Sequence, residues 1–231
     1  MARLTWLGHS SFQIQLPTGE VYLTDPWLEN PKYPAGHAIS RVDAILITHG
    51  HFDHIASAVT LAAKHSATVV ANYEICMFLQ KQGVSKTAPM NKGGSQQAGP
   101  LKVTMTHALH SSGLDDGAGN MIYGGDPAGY VLGFPDGRRA YFAGDTAVFS
   151  DMALIAELYS PELVFLPIGD LYTMGPAEAA VAVRLLKPKK VIPMHWGTFP
   201  PLVGRPEDLA RRIASSGVEV WTLDPGRSVD W

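Results

Sequence analysis

The chain has 231 residues, 46% hydrophobic and 17% charged, with a formal net charge of −3 and nine histidines. That composition suits a globular protein with a sizeable core, and without a lysine- or arginine-rich run it offers no basic stripe for a nucleic acid. The single cysteine, Cys76, excludes an internal disulfide framework. No apolar run approaches the ~20 residues of a membrane span, and the N-terminus lacks a signal-peptide core, so a cytoplasmic protein is expected.

In chain order, residues 3–7, 11–16 and 21–24 alternate apolar and polar side chains as half-buried strands do. Gly8-His9-Ser10 separates the first two, and Asp25-Pro26-Trp27 ends the third. A loop rich in proline and aromatics follows. Ala44–Thr48 is apolar without alternation, which predicts a strand buried on both faces. The cluster His49-Gly50-His51-Phe52-Asp53-His54 comes next, then a helix to about Lys64, a strand over 68–71 and a helix over 73–82 ending at Gly83.

Residues 90–100 read as a loop, and Leu101–Ala108 as a strand delivering His110. Residues 111–128, with five glycines and three aspartates, read as a second long loop. Residues 129–134 and 139–143 form a hairpin running into Gly144-Asp145-Thr146. A helix over 150–158, a strand over 163–168 and a helix from Pro176 to Leu186 precede the strand Val191–Met194, which ends in His195. A helix from Pro206 to Gly217 and a strand over 218–223 close the chain. Two β-rich halves covered by helices, with no linker between them, predict a single domain over 1–231 and an α+β, four-layer αββα architecture. No repeat is visible at the level of residues.

His49, His51, Asp53, His54, His110, Asp145 and His195 each lie at or just after the C-terminal end of a predicted strand. Strand ends along one sheet edge converge, which makes these seven candidate metal ligands. In an extended segment His49 and His51 point the same way and can share one ion; a turn into helix at Asp53-His54 swings those two side chains toward another. Imidazole and carboxylate without thiolate suit Zn²⁺, with Mn²⁺ or Fe²⁺ as alternatives.

With Trp6-Leu7-Gly8-His9-Ser10, Thr173-Met174-Gly175-Pro176 and His195-Trp196-Gly197-Thr198-Phe199-Pro200, these motifs resemble the metallo-β-lactamase superfamily over nearly the whole chain. Its small bacterial and archaeal metal-dependent hydrolases look closest; ascorbate-6-phosphate lactonase and N-acylphosphatidylethanolamine-hydrolysing phospholipase D look more distant. The resemblance implies two mixed sheets flanked by helices and two metal ions: His49, His51 and His110 on the first, Asp53, His54 and His195 on the second, Asp145 bridging.

It further implies a hydrolase in which a metal-bound hydroxide attacks a small ester, lactone, amide or phosphoester. Asp53 is the expected proton carrier, and His9 and Thr198 are expected to contact substrate or support the ligands. Trp27, Tyr33, Phe52, Met121, Tyr172 and Phe199 are candidates for the site's apolar walls. Two other functions fit the same ligands: an iron-dependent redox enzyme, against which His51 counts because the diflavin-linked iron branch normally has glutamate there, and a non-catalytic metal-binding or sensory protein. The resembling group often forms dimers or larger rings, although nothing in this sequence marks an interface. Of the remaining histidines, His37, His65 and His107 read as loop, helix-end and strand-filling residues.

Overall fold

The computed structural model describes all 231 residues. In chain order the elements are β1 (Arg3–Trp6), β2 (Phe12–Gln15), β3 (Val21–Thr24), β4 (Ala44–Leu46), α1 (Phe52–Ile55), α2 (Ala58–His65), β5 (Thr68–Asn72), α3 (Tyr73–Lys81), β6 (Thr87–Met90), β7 (Ser95–Ala98) and β8 (Leu101–His107). There follow β9 (Gly113–Asp115), β10 (Met121–Tyr123), β11 (Ala128–Gly133), β12 (Arg139–Phe142), α4 (Met152–Tyr159), β13 (Leu163–Pro167), α5 (Pro176–Leu186), β14 (Lys190–Met194), α6 (Pro206–Arg212), β15 (Glu219–Val220) and β16 (Ser228–Asp230). Contacts divide the chain into two compact units. Unit 1 is Met1–Asn91, Ser111–Pro127 and Leu223–Trp231; unit 2 is Lys92–His110 and Ala128–Thr222.

Unit 1 holds a seven-stranded sheet in the order β16-β1-β2-β3-β4-β5-β6. Its first three pairings are antiparallel and its last three parallel. Unit 2 holds a second seven-stranded sheet, β15-β14-β13-β12-β11-β8-β7. Counted from β7, it too has three antiparallel pairings and then three parallel ones. The two units thus share one topology without a detectable sequence repeat. Parallel neighbours need crossovers: α2 links β4 to β5 and α3 links β5 to β6 in unit 1, as α5 and α6 do from β13 to β15 in unit 2.

Each unit packs its own core. In unit 1, Ile45, Ile47, Val69 and Ala71 meet Leu61, Ile75 and Leu79 from the helices. In unit 2, Val164, Leu166 and Val191 meet Ala179, Val183 and Leu209. Each of the valine, leucine and isoleucine side chains contributes roughly 1.5–3 kcal/mol when fully buried. The α+β class with two mixed sheets flanked by helices is therefore the one the sequence pattern predicts.

Four local expectations are corrected. The expected loop over 111–128 contains the hairpin β9–β10. The stretch before β8 is not all loop, since polar β7 pairs along its edge and β6 lies just upstream. The single helix after the histidine cluster is two, α1 and α2, separated at Ala56-Ser57 where Ser57 takes ψ near 0. The C-terminal strand expected over 218–223 shortens to β15, and β16 pairs with β1 instead. All of these are short strands or element ends, where periodicity carries little signal.

One clamp fixes the register of the parallel part of the first sheet. Asp43 accepts hydrogen bonds from the Val21 N–H at 2.8 Å and from Arg41 Nε and Nη2, each at 2.8 Å. Partial burial would raise its pKa, but these bonds and the Arg41 charge outweigh burial and lower it from 3.8. A carboxylate with a depressed folded pKa stabilises the fold above its unfolded pKa and loses that contribution as pH falls through the folded value. Asp43→Ala is therefore expected to cost about 1 kcal/mol at neutral pH. In urea melts the gap from the parent should close on acidification; a gap independent of pH would show that the charge plays no part.

Candidate metal centre

In unit 1, β4 ends at Leu46, and His51, which precedes α1, is extended with φ −65° and ψ 148°. Period-two geometry therefore applies. His49 and His51 lie on one side, their rings 4.6 Å apart, with His49 Nε2 3.0 Å from His51 Nδ1. That spacing is close to what two nitrogens take on one tetrahedral ion at metal–nitrogen distances of about 2.0–2.1 Å. The turn into α1 then redirects Asp53 and His54, and the His49 and His54 rings stand 4.1 Å apart.

The group that organises this half is Asp25, fully buried and held at φ 39° just beyond β3. Because β3 and β4 pair in parallel with Thr24 opposite Leu46, Asp25 arrives level with the start of the histidine segment. Its Oδ1 accepts the Thr48 N–H at 2.8 Å. Its Oδ2 accepts the Thr48 hydroxyl at 2.7 Å and lies 2.8 Å from His54 Nδ1. Burial pushes the Asp25 carboxyl up, against the opposing pull of His54 and of the Thr48 hydrogen bonds.

These contacts set tautomers. His54 donates Nδ1–H to Asp25, which leaves Nε2 as its lone-pair nitrogen. Thr48 spends its one hydroxyl proton on Asp25, so its oxygen accepts from His49 Nδ1 at 3.0 Å, and His49 likewise presents Nε2. A carboxylate behind a histidine is the standard way to fix the free nitrogen of a metal ligand. Asp25, His49 and His54 each offer a ligand atom within 4.8 Å of the others.

His9 is completely buried just beyond β1, at φ 52°, and its Nε2 lies 3.0 Å from Asp53 Oδ2. The Trp6 indole N–H donates to the His9 carbonyl at 2.9 Å, and the His9 ring meets Trp27 edge-on at 5.4 Å. Left-handed backbone at two non-glycine residues, His9 and Asp25, is costly and tends to concentrate at functional sites. Gly50 is required for a different reason. A Cβ there would fall 2.7 Å from Leu114 Cδ2, and its N–H donates to Ser112 Oγ at 3.1 Å, so the β9–β10 hairpin is seated against the histidine loop.

In unit 2, three predicted residues meet at one oxygen. Asp145 Oδ2 lies 3.0 Å from His195 Nε2 and 3.8 Å from His110 Nε2. His110 follows β8 by three residues and Asp145 follows β12 by the same number, while His195 directly follows β14. The Thr146 hydroxyl accepts the Leu109 N–H at 3.0 Å and the Ala147 N–H donates to the Leu109 carbonyl at 3.0 Å, which locks these two strand ends together. His195 sits at φ 55°. Gly169 lies beneath it, where a Cβ would stand 2.1 Å from the His195 carbonyl oxygen. Thr198 is buried in the turn that follows.

The remaining histidines keep to structural surroundings. His107 is exposed, edge-on to Phe149, with Lys92 Nζ 3.1 Å from its Nδ1. His65 ends α2, its pKa lowered by burial and then by Lys64. The sequence pattern missed Asp25 and Thr48. The same rule that found the ligands, acidic or imidazole groups at strand ends, would have found Asp25; what hid it was its place in an Asp-Pro-Trp turn.

The model of the beta-lactamase superfamily domain matches residues 21–196, most of the chain. This chain belongs to the beta-lactamase superfamily. The protein of Solibacter usitatus named UPF0173 metal-dependent hydrolase is 61% identical over 229 residues, covering 99% of each chain. A relative of the same name in Rubrobacter xylanophilus is 48% identical, covering 98% of this chain and 96% of its own. Among solved structures, a metallo hydrolase from the archaeon Ignicoccus hospitalis superposes with a TM-score of 0.87 at 34% identity, over 99% of this chain and 97% of that one. Within the superfamily the chain is thus a member of a family of metal-dependent hydrolases. The groups gathered in each unit are imidazoles and carboxylates, a donor set that accepts a divalent cation. No helix is long and apolar enough to cross a membrane.

Proposed function

We propose that this member of the family is a two-metal hydrolase of a small carbonyl or phosphoryl substrate, working as one domain over 1–231. His49, His51 and His110 would hold one ion, Asp53, His54 and His195 the other, and Asp145 would contribute to both, with Zn²⁺ as the preferred metal. The observation that carries this reading is the Asp25 relay, which turns Nε2 of both His49 and His54 into a lone-pair donor. Bound ions would supply Lewis acidity to the substrate oxygen and bring the pKa of a water toward ~7.

The chain's own groups do the rest. Asp25 and Thr48 orient two imidazoles before any ligand arrives. His9 holds the Asp53 carboxylate through Oδ2, which positions Asp53 to take a proton from the attacking water and pass it to the leaving group. Cys76 takes no part: it is buried, and burial pushes its thiol up to about 11. A free thiol of this kind needs no oxidising compartment, and a cytoplasmic location belongs to this reading.

The test is metal removal and return. Protein stripped with a chelator should hydrolyse none of a panel of esters, lactones, amides and phosphodiesters. Zn²⁺, Mn²⁺ or Fe²⁺ should each be scored for recovery and for ions bound per chain. Full metal loading without turnover of any substrate would move the chain to the non-catalytic reading. Turnover that survives stripping would remove the metals from the mechanism.

A further inference from the structure

Unit 1 carries an apolar surface that its core does not use. Every residue of β10 is exposed: Met121 70%, Ile122 40% and Tyr123 69%. The hairpin that carries them is not loose. The Asp116 side chain accepts the Ala118 and Asn120 N–H groups at 2.8 and 3.0 Å, and the Asp115 side chain accepts the Gly117 N–H at 2.8 Å. At its base Leu114 is buried under Gly50, the residue between His49 and His51. Ser112 Oγ takes the Gly50 N–H and donates to the Gly124 carbonyl, and Asn72 donates to that same carbonyl. A second exposed aromatic lies on the histidine loop itself: Phe52, 58% exposed, packs edge-on against Trp27 at 5.4 Å, between His51 and Asp53.

Two rigid elements thus hold large apolar side chains in water, and both are fastened to the residues of the candidate centre. Apolar side chains exposed side by side, as Met121 and Tyr123 are on one strand face, form the kind of patch that marks a binding surface. Charge narrows the occupant. Residues 111–127 contain Asp115, Asp116 and Asp126 and neither lysine nor arginine, and the Tyr123 hydroxyl is already engaged with Asp126 at 2.9 Å. A phosphoryl or other anionic group would find no lysine or arginine on this hairpin, whereas a neutral alkyl or aryl group would find Met121, Tyr123 and Phe52.

We infer that Phe52 and the β10 face of Met121 and Tyr123 are the specificity surface for the apolar portion of the substrate, which is an uncharged ester, lactone or amide bearing an alkyl or aryl substituent. This rests on the hydrolase reading above and narrows it by setting phosphoesters aside.

The experiment has two arms, both on the metal-loaded full chain. In the first, kcat/KM is measured for p-nitrophenyl esters from acetate to octanoate. The parent should gain roughly two- to fourfold per added methylene until the surface is filled, the scale set by transfer of a methylene from water. The double variant Met121→Ser/Tyr123→Ser, and separately Phe52→Ser, should flatten that slope. Tyr123→Phe should keep it, and Leu158→Ser, an exposed leucine on α4 in unit 2, should leave it untouched. In the second arm, octanamide and acetamide are titrated calorimetrically. Octanamide should bind the tighter by tenfold or more, and lose that advantage in the double variant.

Ester turnover with no chain-length slope, or a slope identical in parent and variants, overturns the inference while sparing the hydrolase reading. Variants that change only sedimentation, with slope intact, overturn it in favour of an interface between copies of the chain. No turnover at any length, with hairpin-dependent octanamide binding, removes the hydrolase reading and overturns the inference as a substrate surface, leaving only an apolar ligand site. Equal binding of the two amides overturns the inference.

Discussion

Asp145→Ala is expected to strip the chain of bound metal and of hydrolysis together. Two imidazoles of unit 2, His195 and His110, turn toward a single oxygen of this carboxylate, at 3.0 and 3.8 Å. The side chain is 2% exposed, so no other acid can substitute for it without rebuilding the strand end. Outer partners of metal ligands cost about ten- to a hundredfold in affinity or activity when removed. A carboxylate that belongs to both ions in the proposed assignment should cost more than that. Metal per chain by elemental analysis and kcat on the best substrate of the panel are the two readouts. The far-UV spectrum should stay that of the parent, because Asp145 lies beyond β12 and outside its ladder. Two ions per chain with parental turnover in the variant would remove Asp145 from the ligand set.

The second large effect is expected at Asp25, a residue outside the predicted ligand set. Asparagine at position 25 keeps the shape but replaces one acceptor oxygen with an NH₂. Three donors converge on the present carboxylate: the Thr48 N–H, the Thr48 hydroxyl and His54 Nδ1–H. With an amide in that place, at least one donor meets another donor. The cheapest relief is for His54 to move its proton to Nε2 and accept from the amide at Nδ1. His54 then holds a proton on the nitrogen it should offer to a metal. An asparagine behind a catalytic histidine inflicts the same tautomer error in serine proteases, with large losses in rate.

Metal affinity in Asp25→Asn should fall toward the hundredfold end of the outer-partner range, with His49 affected through Thr48. Competition with a chelating dye measures it, and the ¹⁵N shifts of His54 report the tautomer. Affinity within a factor of two of the parent, or an unchanged His54 tautomer, would sink the relay.

What could be read without coordinates follows from local physics. The unbroken apolar run before Thr48 announced a doubly buried strand. The alternation over 101–106, the proline opening α5 and the Lys187-Pro188 stop bounded their elements as helix and strand rules require. The seven candidate ligands stood out because their chemistry is dense and their spacing matches strand ends. Extended backbone at His51 and the turn into α1 at Phe52 go with His49 and His51 on one side, rings 4.6 Å apart, as the period-two argument requires of that pair.

What could not be read depended on contacts distant in sequence. Asp25 becomes meaningful only when β3 lies parallel to β4 and brings it to Thr48 and His54, more than twenty residues away. The hairpin β9–β10 has strands of three residues, too short to show a period, and its turn is held by aspartate side chains in a glycine-rich stretch that reads as loop. Polar β7 and proline-containing β6 are edge strands, recognisable only by the neighbours they pair with. The shared order of antiparallel and parallel pairings in the two units left no trace in the residues, because a sheet constrains burial and direction and not identity.

The sequence by itself determined which atoms could bind a metal, since donor chemistry belongs to side-chain type. Only the tertiary structure decided which nitrogen of His49 and His54 carries the lone pair to do so, because a tautomer is set by the neighbour that takes the other proton.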